Sequence, residues 1–178
     1  MKRYQPTILA HDPSICAWGW AVLYADGTVL ETGCIKTESS NKKLNIRKGD
    51  DRIRRVNEIN QELLRIIDKY KIRWMVSEQP HGSQSAVAAV MIGICLGMLQ
   101  TISDCKSIGL EWYSEGDCKK TLLGKRSAVK GETIAAVHNI FDVKWTGIKY
   151  IDEAVADAIS VFYCAKKTSS VLKNGLFN

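Results

Sequence analysis

The sequence predicts an α/β protein: a mixed five-stranded sheet, three antiparallel N-terminal strands followed by parallel ones, flanked by helices. Three observations predict it. Strand-type runs at 7–12, 18–24 and 28–36 follow one another with only short turns between them. Beyond them, helical and strand patterns alternate. No repeat, low-complexity tract or linker divides the 178 residues, so residues 1–178 are expected to form a single domain.

Residues 7–12 (TILAHD) read as a strand ending on an acid, after which Pro13 and Ser14 turn the chain. Residues 18–24 (WGWAVLY) are the second strand, and Asp26-Gly27 supplies the hairpin turn into the third. The polar, basic stretch 38–48 reads as a loop. Asp50 or Asp51 is the expected cap of a long helix with Ile53, Val56, Ile59, Leu63, Ile66 or Ile67, and Tyr70 on its buried face. Arg52, Arg54, Arg55 and Arg65 fall on the opposite face. Residues 74–78 (WMVSE) form a strand that again ends on a carboxylate, and 79–85 (QPHGSQS) a loop. An apolar helix runs from Ser85 to about residue 104, then 111–113 is a short strand. A loop and helix follow with the basic cluster Lys119, Lys120, Lys125, Arg126 and Lys130; the last helix, about 151–167, carries Glu153 and Asp157. The tryptophans, Trp18, Trp20, Trp74, Trp112 and Trp145, are assigned to packing.

Composition narrows the function classes. With 46% hydrophobic and 25% charged residues the chain is globular, not disordered. A net charge of +6 and a pI near 9.0 favour a polyanionic partner. The six cysteines show neither CxxC nor zinc spacing, so reduced, mostly buried thiols in a cytosolic or nuclear-type compartment are expected. No signal peptide is read at the N-terminus. The apolar run 86–99 falls short of the roughly 20 residues that span a bilayer, so a soluble protein without a membrane partner is expected. The absence of a GxxxxGK[ST] loop argues against an NTPase.

Asp12 and Glu78 each sit at the carboxyl end of an expected strand, where sites in α/β sheets are built. Glu153 and Asp157 are four apart and share a helix face among small apolar residues. Burying such acids is costly without a counter-charge, and a divalent cation would supply one. Oxygen-only donors suit Mg²⁺ or Mn²⁺, and two such ions are the usual arrangement for phosphodiester hydrolysis. The bland alternative is that polar residues simply end strands and acids favour a helix N-terminus.

Four segments in order resemble the RuvC-type Holliday-junction resolvases of the RNase H-like nuclease superfamily: ILAHDPSICAWGWAVL, DDRIRRVNEINQELLRIIDKYKIRWMVSEQP, SEGDCKKTLLGKRSAVKGETIAAV and AVADAISVFYCA. The resemblance implies an RNase H-like nuclease domain over 1–178 and a homodimer. It also implies Mg²⁺-dependent nicking of four-way DNA junctions that leaves 3′-hydroxyl and 5′-phosphate ends. Asp12, Glu78 and Asp157 match three positions of its acidic tetrad. Two ions per active site are implied, with Mn²⁺ able to substitute for Mg²⁺. The family's fourth acid falls at Ala154; Glu153 is the substitute expected here and Asp152 the fallback. At 100° per residue Glu153 lies about 40° from Asp157, and Asp152 about 140°.

Lys119 and Lys130 match the family's phosphate-contacting lysines, with Lys120, Lys125 and Arg126 widening the patch. Their alternative is a solubilising surface. Lys42, Lys43, Arg47, Lys48 and Arg52 are candidates for a second patch. The family's aromatic wedge after the glutamate strand is absent; His81 either stacks on a base or is a solvated loop histidine. Gly93 and Gly97 permit close approach of a second helix, or the helix simply packs on the sheet. These departures suit a divergent branch, such as a viral one, acting in the cytoplasm on the nucleoid or in a host cytoplasm. Two other readings stay open: a nuclease of this fold for other branched or RNA-containing substrates, and a DNA-binding protein weakened in catalysis.

Overall fold

The computed structural model describes residues 6–80 and 85–174. Strands β1 (Thr7–Asp12), β2 (Ala17–Tyr24) and β3 (Val29–Lys36) form an antiparallel meander. Gly27, at φ 102°, and a hydrogen bond from the Thr28 N–H to Asp26 Oδ1 (2.8 Å) make the second turn. Helix α1 (Lys48–Tyr70) leads to β4 (Trp74–Gln79), parallel to β1. Helix α2 (Ala86–Lys106) leads to β5 (Gly109–Ser114), parallel to β4. The strand order is β3-β2-β1-β4-β5, which is the mixed five-stranded sheet expected from the sequence. Four helices close the chain: α3 (Glu115–Leu123), α4 (Lys130–Ile140), α5 (Lys149–Thr168) and α6 (Ser170–Asn174).

The sheet is a central layer. On one face Leu9, Trp18, Val22 and Met75 pack with Ile59 and Leu63 of α1 and Leu99 of α2. On the other, Ile8, Ala21 and Val76 pack against Ala156, Ile159 and Phe162 of α5, together with Cys118 of α3 and Val137 of α4. Trp18 and Trp20 are buried; Trp74, Trp112 and Trp145 are half-buried against the two cores, in keeping with a packing role.

Three local expectations are corrected. Helix α1 begins after Arg47 without a side-chain cap. Asp51 instead accepts hydrogen bonds from Ser40 and pairs with Arg54 (2.8 Å), which pulls its carboxyl down to about 2. It therefore fastens the preceding loop to the helix. Ile53 is 52% exposed and Arg55 only 7%. Six residues before Ile59, Ile53 is rotated about 120° off the buried stripe, whereas Arg55, one turn before Ile59, falls on it. Its guanidinium donates to Thr37 Oγ1 (2.8 Å) and the Ile15 carbonyl (3.2 Å), tying the β1–β2 loop to the end of β3.

Helix α2 is the third correction. The helix extends over 21 residues, enough by length and composition to cross a membrane, and 28% of its most apolar stretch is buried. Met91, Cys95, Leu99 and Ile102 face the sheet. Val87 and Val90 are more than half exposed, and a Cβ added at Gly93 or Gly97 would meet nothing within 4 Å. The helix thus packs on the sheet with one side and presents a second apolar side outward.

Candidate metal and DNA-binding site

In the parallel β1–β4 pair His11 lies opposite Ser77, so the next step along both strands sets Asp12 beside Glu78. Side chains alternate across a strand. Ile8, Ala10 and Val76 lie in the α5-side core, so Asp12 and Glu78 also face α5. Gly19, the β2 partner of Asp12, sets how close that helix comes. A Cβ built there would stand 2.1 Å from the Ala154 carbonyl oxygen. Only glycine permits the approach, and one turn further along the helix is Asp157.

The electrostatics join these groups. Burial pushes the Glu78 carboxyl up to about 7, helped by the negative charges of Asp157 and Glu115 and opposed by Lys119. The Lys119 ammonium is raised, first by its hydrogen bond to Glu115 and also by Asp157 and Glu78. Burial raises the Cys34 thiol on β3, and the Asp12 carboxylate adds to the rise. Of the residues expected from the sequence, Glu78, Asp157 and Lys119 come together, with Asp12 next to Glu78 along the ladder.

Glu115 is the member that the sequence reading missed. It follows β5 directly, the same position relative to a parallel strand that singled out Asp12 and Glu78; a strand read as ending at 113 hid it. Glu153 is half-buried on α5, one turn before Asp157. Asp152, the fallback, is otherwise engaged: it accepts from the Thr146 N–H (2.9 Å) and hydroxyl (2.8 Å) and the Gly147 N–H (2.9 Å). Its carboxylate anchors the turn into α5.

The basic cluster is held by acids. Lys119 pairs with Glu115, Lys125 with Glu132 (2.7 Å) and Arg126 with Asp117 (2.9 Å), while Lys120 is exposed. Lys130 starts α4 and Lys42 starts a short 3-10 turn; their side chains, and His81 entirely, lie outside the described residues. Of the second patch, Lys43, Arg47 and Lys48 are exposed and Arg52 half-exposed around the start of α1.

Among the described residues no three carboxylate, imidazole or thiolate groups are close enough to enclose an ion by themselves. The donor chemistry nonetheless fits Mg²⁺, which keeps several waters and is held by one or two carboxylates plus substrate phosphates. A carboxyl whose ionisation is resisted by neighbouring acids is a place where a divalent cation offsets excess negative charge.

The family model for the crossover junction endodeoxyribonuclease RuvC matches residues 8–165. The chain belongs to the RuvC family. A RuvC from Ehrlichia ruminantium (strain Gardel) is 30% identical over 165 residues, covering 89% of this chain and 98% of that one. One from Rickettsia bellii (strain OSU 85-389) is 25% identical, covering 94% and 98%. Thermus thermophilus RuvC, solved with a Holliday junction substrate, superposes with a TM-score of 0.71 at 19% identity over 92% of this chain and 96% of that one. The yeast mitochondrial Holliday junction resolvase Ydc2 gives 0.64 at 13% identity over 97% and 83%. The fold is RNase H-like. Ala154, three residues before Asp157, is the helix residue seated on Gly19.

Proposed function

We propose that the chain is a structure-selective endonuclease that resolves four-way (Holliday) junctions by Mg²⁺-dependent phosphodiester hydrolysis, acting as a homodimer. The observation that carries this reading is the shared face on which Asp12 and Glu78, at adjoining strand ends, lie under the helix of Asp157 with Lys119 beside them. Membership of a family of crossover junction endodeoxyribonucleases supports it.

Two Mg²⁺ ions, for which Mn²⁺ can substitute, would be held by Asp12, Glu78 and Asp157, with Glu153 completing the donor set. When bound, they activate water and stabilise the leaving oxygen. Lys119 and Lys130 bring positive charge to the scissile phosphate, and Lys120, Lys125 and Arg126 follow the backbone on either side. For the paired lysines this means exchanging a carboxylate for a phosphate. The outward apolar side of α2 is the surface for the second copy, which sets two sites on a symmetric substrate. The reaction belongs in the cytoplasm, on the nucleoid or in an infected host.

Ala154 in place of an acid favours one rival, a junction-binding protein that cuts poorly. Four substrates separate the readings: a four-way junction, a linear duplex, a flap and an RNA–DNA hybrid, each with and without Mg²⁺. The expected result is Mg²⁺-dependent nicking of the junction alone, abolished in Asp12→Asn and Asp157→Asn while both still bind in Ca²⁺. Cutting by both variants would overturn the site; binding without cutting by the wild type would favour the rival.

A further inference from the structure

A cavity of about 990 Å³ opens at the same edge of the sheet as the carboxylates but on the α1–α2 side. Pro13, directly after Asp12, and Pro80, two residues past Glu78, form its border with the site. Its volume is at the upper end of the usual range for pockets that enclose a small molecule, about 300–1,000 Å³. The walls differ in chemistry. Ile15, Ile46, Met91 and Ile92 give an apolar side; Ser39, Asn41 and Asn45 give hydroxyl and amide groups that donate and accept. Lys48 and Arg52 stand at the start of α1 with their positive charges. Asp51, the acid in the lining, is paired with Arg54 and accepts hydrogen bonds from Ser40, and Arg55 beneath is already engaged by Thr37 and the Ile15 carbonyl.

We infer that this cavity is a subsite for one unstacked nucleotide of the bound DNA, adjacent to the scissile phosphate. The inference rests on the nuclease reading above. An apolar wall for the base face, polar side chains for its edge and cations for its phosphate are what recognises a single-stranded nucleotide. A duplex base cannot enter without leaving its stack, and that cost is least where the helix is already interrupted. The subsite therefore supplies discrimination between a branch point and continuous duplex. Such a device suits this chain, because residues 79–85 (QPHGSQS) hold no Phe, Tyr or Trp to wedge into a branch.

The test uses the full chain and a four-way junction carrying 2-aminopurine at the branch point, in Ca²⁺, beside nicking of the same junction in Mg²⁺. The wild type is expected to raise the 2-aminopurine fluorescence several-fold on binding. Ala88→Trp, which fills the cavity, and Arg52→Ala, a surface change, should each remove most of that rise and reduce the preference for junction over duplex about tenfold. No rise in a wild type that nicks, or a rise that persists in both variants, overturns the subsite and leaves the nuclease reading standing. A wild type that does not nick in Mg²⁺ overturns the nuclease reading instead. If Ala88→Trp shifts the protein from dimer to monomer in sedimentation, the cavity is covered by the second copy, and the subsite is likewise refuted.

Discussion

Glu78 carries the strongest electrostatic signature of the proposed site. In the metal-free protein it keeps its proton up to about pH 7, against 4.5 for an ordinary glutamate, because burial, Asp157 and Glu115 all resist its charge. The folded state therefore binds more protons than the unfolded chain between those values, and stability falls as pH rises through that window. Thermal midpoints of the metal-free wild type are expected to drop between pH 5 and 7.5. Glu78→Gln should flatten that profile and be more stable at pH 8 by about 3 kcal/mol. Mg²⁺ should recover the loss in the wild type and not in the variant. A variant with the wild-type pH profile would show that Glu78 is not the group responsible. Asp152 illustrates the opposite fate for an acid: three donors from 146–147 fix it as structure, which spacing on a helical wheel could not reveal.

Among the elements, α5 depends on Gly19. Replacing Gly19 with alanine would drive a methyl group into the Ala154 backbone and lift the helix from the sheet. The expected cost is about 3 kcal/mol in urea denaturation, with loss of Mg²⁺-dependent nicking in whatever fraction remains folded. Retention of both would mean that α5 has another way to seat. β1, β4 and α5 were legible in the sequence because apolar periodicity reaches right up to the acids that end or line them. The start of β5 was not: at Gly109 the residue is glycine because the Trp74 ring lies against it, a Cβ there falling 2.0 Å from a ring carbon, and glycine gives no strand signal. Nor was the start of α3: a loop and one helix were expected where α3 and α4 stand, and α3 begins directly after β5 at its cap, Ser114, which accepts from the Asp117 N–H (3.1 Å). Glu115 was concealed at that junction, because β5 was read as ending at 113, one residue short of the cap. Arg55 was misplaced because a buried guanidinium satisfied by Thr37 and Ile15 requires tertiary partners that no periodicity encodes.

At the scale of the whole molecule, an exposed apolar side on a 21-residue helix is the feature that a lone protomer leaves unexplained. Val90→Asp places a charge there at little cost to the isolated fold, within about 0.5 kcal/mol. It is expected to convert a dimer into a monomer in analytical ultracentrifugation and to replace paired incision of a junction with single nicks. An unchanged sedimentation coefficient would mean that α2 is not the contact. The proposed site has a different safeguard, within the sheet itself. Asp12 and Glu78 stand side by side at the end of one parallel ladder, so a one-residue slip of β4 would turn Ser77 toward α5 and turn Glu78 to the α1 side. Met75 and Val76, locked into opposite cores, forbid that slip. Correct assembly and chemical competence are thus the same event, and a chain joined wrongly at its centre emerges inert instead of as an indiscriminate cutter of the DNA around it.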